Sequence, residues 1–207
     1  MNKLGTVIHE SMEELLAPLK AVDDFIPTES LKAKLQIADQ VVLKQIGNEY
    51  LTSFNTVDEL NSLQRIMHKI ATEYVKMYLQ YDIDQNEAIR IVELENSDDY
   101  ILDFPIEING SIETVSLYGI IDRVDEVLTK DGQTKLRIVD YKTGADSVKF
   151  RNLDVVFAAN TENKALVQTL FYAYVYEQVT GLRNLEPHLY VARRMREDGT
   201  VFKNNTG

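Results

Sequence analysis

Ile138-Val139-Asp140-Tyr141-Lys142-Thr143-Gly144, read with Gly119-Ile120-Ile121-Asp122-Arg123-Val124-Asp125 upstream, decides how this chain is understood. Each segment is a short apolar strand that ends on, or is interrupted by, a carboxylate. The second carries a lysine two residues after its acid. Strand interiors seldom hold charge without a reason, because an unpaired buried charge is costly. Two acids and an amine converging on one strand pair point to a metal-assisted hydrolytic site.

The turn between the strands sets their alignment. In Thr129-Lys130-Asp131-Gly132-Gln133, the three central residues suit a three-residue hairpin loop with Gly132 in the left-handed position. Thr129 then pairs with Gln133, and the same register sets Asp122 opposite Asp140. Directly opposed side chains share a face, with Cβ atoms roughly 4.5–5.5 Å apart. Lys142 joins that face, since residues two apart on a strand point the same way. Asp125 falls opposite Arg137 on the other face, as an expected ion pair. A two-residue Asp131-Gly132 turn would slip the register by one and split the acids across the sheet.

This set has a chemical logic. Two close carboxylates repel, and one pKa rises unless a cation sits between them. Mg²⁺ binds through one or two carboxylates and keeps several waters. A metal so held acidifies a water and clamps a phosphoryl oxygen, and an adjacent lysine can orient that water or stabilise the transition state. A bare Asp-x-Lys is usually a strand end with a surface lysine; the opposed strand carrying Asp122 shifts the balance.

In order, the chain presents Gly5-Thr6-Val7-Ile8-His9, Glu95 after a β-rich run, Gly119-Ile120-Ile121-Asp122-Arg123, Asp140-Tyr141-Lys142-Thr143-Gly144 and Gln168-Thr169-Leu170-Phe171-Tyr172. This ordered set resembles the nuclease domain of the RecB/AddB-like branch of the PD-(D/E)XK superfamily. It is similar above all to the C-terminal nuclease region of large Bacteroidetes-type repair proteins. The resemblance implies a restriction-endonuclease-like core and a DNA nuclease, expected to be an exonuclease in double-strand-break repair and recombination. It implies Mg²⁺ or Mn²⁺ held by His9, Asp122, Asp140 and the Tyr141 carbonyl, with Lys142 acting on the attacking water. Gln168 and Tyr172, four apart and so on one helix face, would contact DNA or brace the site. Glu93 and Glu95 share a strand face, so either can point inward; the family's acid at the end of this strand favours Glu95. Helicase-like domains or subunits of a repair complex are the implied partners. The opening only four residues before Gly5 suggests an excerpt of a longer chain.

His9 lies near the start of a helix, where a lone histidine is ordinarily a surface or satisfied residue; the family signature makes it a ligand. His68 and His188 match no motif and are read as structural. The aromatic neighbours Phe171, Tyr174 and Tyr176 would by themselves make the Tyr172 helix a core element. Tyr141, on the opposite face from Asp140, has a side chain expected in the core.

Composition bounds the reading. A chain of 207 residues suits one domain, taken as 1–207 with a helical part to 85 and a sheet core with a crossover helix from 86. The absence of cysteine excludes disulfides and the four-cysteine iron–sulfur cluster that some members of this nuclease branch carry. No signal-like or membrane-spanning apolar run is seen, so a cytoplasmic protein without membrane contact is expected. The net charge of −11 opposes nucleic-acid binding, which needs Lys and Arg. Residues 1–119 hold 9 basic and 21 acidic side chains, whereas 120–207 hold 13 and 12. Arg193, Arg194 and Arg196 form the only tight basic cluster. Two other readings therefore stay open: a non-catalytic DNA-binding or scaffolding module, and a stand-alone endonuclease.

Periodicity predicts helices over 5–20, 30–48, 57–81 and 163–180, with Thr28 or Ser30 as a cap and Gly181 as a stop. Strands are predicted over 88–95, 100–109, 113–128, 134–142 and 186–194, with a hairpin at Asn109-Gly110 and an edge strand marked by Pro105. Residues 145–162 read as irregular. Helices, a meander, a crossover helix and a further strand make an α+β (mixed α/β) domain with a mainly antiparallel mixed sheet.

Overall fold

The computed structural model describes residues 3–96, 100–129, 131–157 and 164–204. The central hairpin closes as its residues dictate. Thr129 N–H donates to the Gln133 carbonyl at 2.8 Å, and Gly132 N–H donates to the Thr129 carbonyl at 3.0 Å. Gly132 has φ +78°, a conformation open to glycine at little cost. Lys130, also part of this loop, lies outside the described residues. The flanking strands are β4 (Ile121–Leu128) and β5 (Thr134–Lys142). They pair antiparallel with Arg123 opposite Val139 and Asp125 opposite Arg137, as expected.

Three long helices precede the sheet: α1 (Lys3–Lys20), α2 (Thr28–Glu49) and α3 (Ser62–Gln85). Neither Thr28 nor Ser30 caps α2 through its side chain; Pro27 is the N-cap, its fixed φ serving the first turn. A short 3₁₀ turn, Val57–Glu59, replaces the expected helix start. α3 begins at an Asn61–Gln64 capping box, in which each side chain accepts the other's backbone N–H at 3.0 Å. It also runs past Asp82 to a left-handed Asn86.

The sheet has the order β1-β4-β5-β7, with β1 (Ala88–Asn96) antiparallel to β4 and β7 (Leu185–Val191) parallel to β5. Helix α5 (Lys164–Thr180) makes the crossover between the parallel strands and stops at Gly181, φ +71°. The expected strand 113–128 is two. Its first part, β3 (Ser111–Tyr118), pairs with β2 (Ile101–Ile108) in a separate hairpin around Asn109-Gly110. The chain then breaks at Gly119-Ile120 before β4. Residues 145–162, read as irregular, include β6 (Lys149–Phe150) and α4 (Leu153–Phe157); 158–162 lie outside the described residues. Strand β7 ends at Val191 rather than 194, and α6 (Met195–Asp198) and β8 (Lys203–Asn204) follow.

Alternation divides β4 and β5 between two cores. Val124 and Ile138 face a cluster with Tyr172 and Tyr176 of α5. Val139 and Tyr141 face the larger cluster built by α1, α2 and α3, where Val7, Ile8, Met12, Leu15 and Leu16 are buried. Full burial of each such side chain is worth about 1.5–3 kcal/mol. On that second face lies a buried ionic network. Arg123 chelates Asp125 through Nε and Nη2 (2.8 and 2.7 Å) and reaches Asp82 of α3 at 2.8 Å. Its Nη1 also donates to the Tyr141 hydroxyl at 3.1 Å. Arg137 donates to Asp125 at 2.7 Å, and the Tyr190 hydroxyl donates to Asp82 at 2.7 Å. Arg123 and Tyr141, the residues next to Asp122 and Asp140, are thus tied to each other behind the strands.

Candidate active site

Every sequence-predicted site residue lines one cavity of about 420 Å³: His9, Glu95, Asp122, Asp140, Tyr141, Lys142, Gln168 and Tyr172. Gly5, Ile120, Thr143 and Gly144 line it as well. These four sit inside the motifs that carried the resemblance, but no side-chain chemistry had singled them out. The cavity opens where β4 begins and β5 ends, between α1 and α5.

Continuing the β4–β5 register by one residue puts Asp122 opposite Asp140. Asp122 takes over the ladder there: its Oδ2 accepts the Tyr141 N–H at 2.7 Å. In a strand, the N–H and C=O of one residue point to the same side, so the Tyr141 carbonyl turns toward Asp122. The Lys142 carbonyl points the other way, accepting from Ala192 N–H at 3.2 Å and from the Tyr78 hydroxyl at 3.1 Å.

A β-bulge brings Glu95 level with Asp122. Pairing of β1 with β4 shifts by one between Ile91 and Glu93, after which Leu94 faces Arg123 and Asn96 faces Ile121. Glu95 thereby falls opposite Asp122; without the extra residue Leu94 would stand there. Glu95 adopts φ +43°, an uncommon conformation for a residue with a side chain. Its Oε1 lies 3.1 Å from His9 Nδ1, while Glu93 pairs with Lys20 at 2.8 Å. Bulges carry no residue signature of their own, which is why strand alternation alone could not separate the two acids and only the family resemblance favoured Glu95.

Charge is crowded here. His9 Nδ1 is also 3.4 Å from Asp122 Oδ1. Burial alone would lower the His9 pKa, but the hydrogen bonds and charges of Asp122 and Glu95 hold it up at about 10. Burial pushes the Asp140 carboxyl up to about 7, aided by Asp122 and opposed by Lys142. Glu95 is raised by burial, with the His9 contact opposing. Burial would lower Lys142, yet Asp140 and Asp122 carry it above the ordinary lysine range. Lys142 Nζ lies 2.8 and 2.6 Å from the two Asp140 oxygens; the Oδ2 contact is an ion pair without hydrogen-bond geometry, so that buried atom has no hydrogen-bond partner.

These residues fit a divalent cation. One donor atom each from His9, Glu95 and Asp122 lies within 4.8 Å of the others. Asp140 lines the same cavity, so the donor set is carboxylate oxygen plus imidazole nitrogen. A divalent cation held here would offset the negative charge that Glu95, Asp122 and Asp140 gather in the cavity.

On the α5 side, the Gln168 amide donates to the Tyr172 hydroxyl at 2.5 Å. Gly119 makes room for that ring: a Cβ there would lie 2.3 Å from Tyr172 Cε1. Gly119→Ala is expected to displace Tyr172 and lower stability by about 1–3 kcal/mol through overpacking. Thermal melting checks this, and an unchanged midpoint would refute the clash. His68 and His188 stand outside the cavity with partners of their own, Asp39 for the first and Thr200 and Glu186 for the second.

Comparison with known proteins agrees with this geometry. The PD-(D/E)XK nuclease superfamily profile matches residues 1–204. Three relatives are each named as one subunit of an ATP-dependent helicase/deoxyribonuclease. The protein from Carboxydothermus hydrogenoformans is 29% identical over 152 residues, covering 70% of this chain and 13% of the relative. Those from Clostridium botulinum strain Hall and Clostridium perfringens strain ATCC 13124 are 28% and 31% identical over 72% of this chain, again 13% of each relative. The matched segment is thus a small part of the curated relatives' length.

Proposed function

This chain belongs to the PD-(D/E)XK nuclease superfamily, and from that premise we propose that it is a divalent-metal-dependent deoxyribonuclease, working as an exonuclease in double-strand-break repair. The observation that carries the reading is the convergence of His9, Glu95, Asp122, Asp140 and Lys142 on one cavity. The names of the relatives support a place beside helicase-like domains or subunits.

His9, Asp122, Asp140 and the Tyr141 carbonyl would hold Mg²⁺ or Mn²⁺, with Glu95 beside them; imidazole favours Mn²⁺ and hard oxygens suit either. Such an ion supplies Lewis acidity to a phosphoryl oxygen and acidifies a water. Lys142, its ammonium fixed on Asp140, orients the attacking water and offsets charge gathering on the phosphate. Gln168 and Tyr172 present an amide and a hydroxyl to the strand from α5. His9 must give up its proton as a ligand, so metal uptake releases protons and strengthens as pH rises.

Calorimetric titration with Mn²⁺ tests the reading: the wild-type chain is expected to show a site that Asp122→Ala loses. Absence of any metal site in the wild type would instead favour a non-catalytic module, which the net charge of −11 makes a real competitor. Degradation of linear DNA with closed circles left intact is the expected exonuclease result; nicked circles would point to an endonuclease.

A further inference from the structure

More than half of the described lysines and arginines lie within ion-pair distance of a carboxylate, as with Lys3 on Glu49, Lys44 on Glu14 and Arg90 on Glu126. Arg193, Arg194 and Arg196 are exposed, and none forms an ion pair among the described residues. In a chain of net charge −11, this short segment concentrates three arginines, of which Arg194 lies close enough to Asp198 to lower that carboxyl's pKa.

Their position gives them a use. Strand β7 runs parallel to β5 with Val191 beside Lys142, and Ala192 N–H bonds the Lys142 carbonyl. The chain therefore leaves the sheet at the same end as the candidate site, one strand over, a step of about 4.8 Å. Arg193 is the next residue. Its Nε donates to the Tyr74 hydroxyl of α3 at 2.9 Å. That bond braces the side chain and leaves the paired Nη groups, the edge that chelates phosphate oxygens. Arg196 shares a cleft of about 470 Å³ with Lys76, Gln36 and Gln80, where Glu73 is the acidic member.

The opposite flank is hostile to a polyanion. Glu10, which follows His9, lies with Glu13 and Glu14 along a second cleft. A phosphate backbone is repelled on the α1 side and attracted beyond β7. We propose that the DNA strand bound at the candidate site runs across the C-terminal ends of β5 and β7, with its phosphates held by Arg193, Arg194 and Arg196. This rests on the nuclease reading and adds a direction to it.

The test is binding of a fluorescent single-stranded oligodeoxynucleotide of about twenty nucleotides, followed by anisotropy in Ca²⁺ with the probe's length verified on a gel. The triple variant Arg193→Ala/Arg194→Ala/Arg196→Ala is expected to bind about tenfold or more weakly near 0.1 M salt. It should also flatten the slope of log K against log salt by about 2, at roughly 0.7 per single-strand phosphate contact. The control Lys32→Ala/Lys34→Ala/Lys44→Ala carries the same net charge and is expected to keep the wild-type slope. An unchanged slope in the arginine variant, equal losses in both variants, or no binding by the wild type would each overturn the proposal. The nuclease reading fails separately, if the wild type with Mg²⁺ or Mn²⁺ leaves linear DNA intact.

Discussion

Asp140→Ala and Lys142→Ala are each expected to lower metal-dependent degradation of linear DNA by at least about 10²–10⁴-fold while leaving the fold intact. The two losses have different origins. Asp140→Ala removes a carboxylate that is 1% exposed and whose second oxygen has no hydrogen-bond partner. An ionised group so placed opposes folding, as its pKa of about 7 records. Without metal, the alanine variant is therefore expected to melt at the wild-type temperature or above it, a direction typical of sites where function opposes stability. Lys142→Ala instead strips Asp140 of its cation, and the Asp140 pKa should rise further. Circular dichroism melts beside a gel assay check both. Undiminished cleavage in either variant would sink the assignment of the site.

Asp125→Ala is expected to be the most destabilising single change outside the apolar core, at about 3–5 kcal/mol, because it leaves the buried Arg123 and Arg137 to share Asp82 as their one fully buried carboxylate. Stability of about 5–15 kcal/mol is usual for a domain, so the loss is a large share of the whole. The pH dependence has a definite sign. Burial alone would raise the Asp125 pKa, but Arg123 and then Arg137 more than offset this and hold the carboxyl below the usual range. A carboxyl depressed in the fold stabilises it fully above the unfolded value of about 3.9, and that contribution is lost as pH falls through the folded value. Urea melts at pH 7, 4 and 3 should show wild-type stability falling toward acid, with a shallower fall in Asp125→Asn. Equal acid slopes would refute the attribution to Asp125.

Much of the fold and the placement of the candidate site were legible because they rest on local chemistry. Gly132 in a left-handed turn sets a register, and the register sets Asp122 against Asp140. What escaped was non-local or had no residue signature. The break at Gly119-Ile120 is masked by apolar continuity from Leu117 to Ile121. Asp82 reads as a polar helix end, because its partners Arg123 and Arg137 lie 41 and 55 residues away. The bulge that brings in Glu95 is a matter of backbone count alone.

The buried network of Asp82, Arg123, Asp125 and Arg137 also bears on how this sequence can change over time. A well-packed apolar set could serve as well as four paired charges. Yet each single step toward it strands a charge in the interior, at a cost comparable to much of the margin that keeps the chain folded. No path of one-residue steps leads out without passing through a crippled intermediate. Lineages descending from this sequence should therefore keep all four charges or replace several together, whether or not the neighbouring carboxylates still serve catalysis.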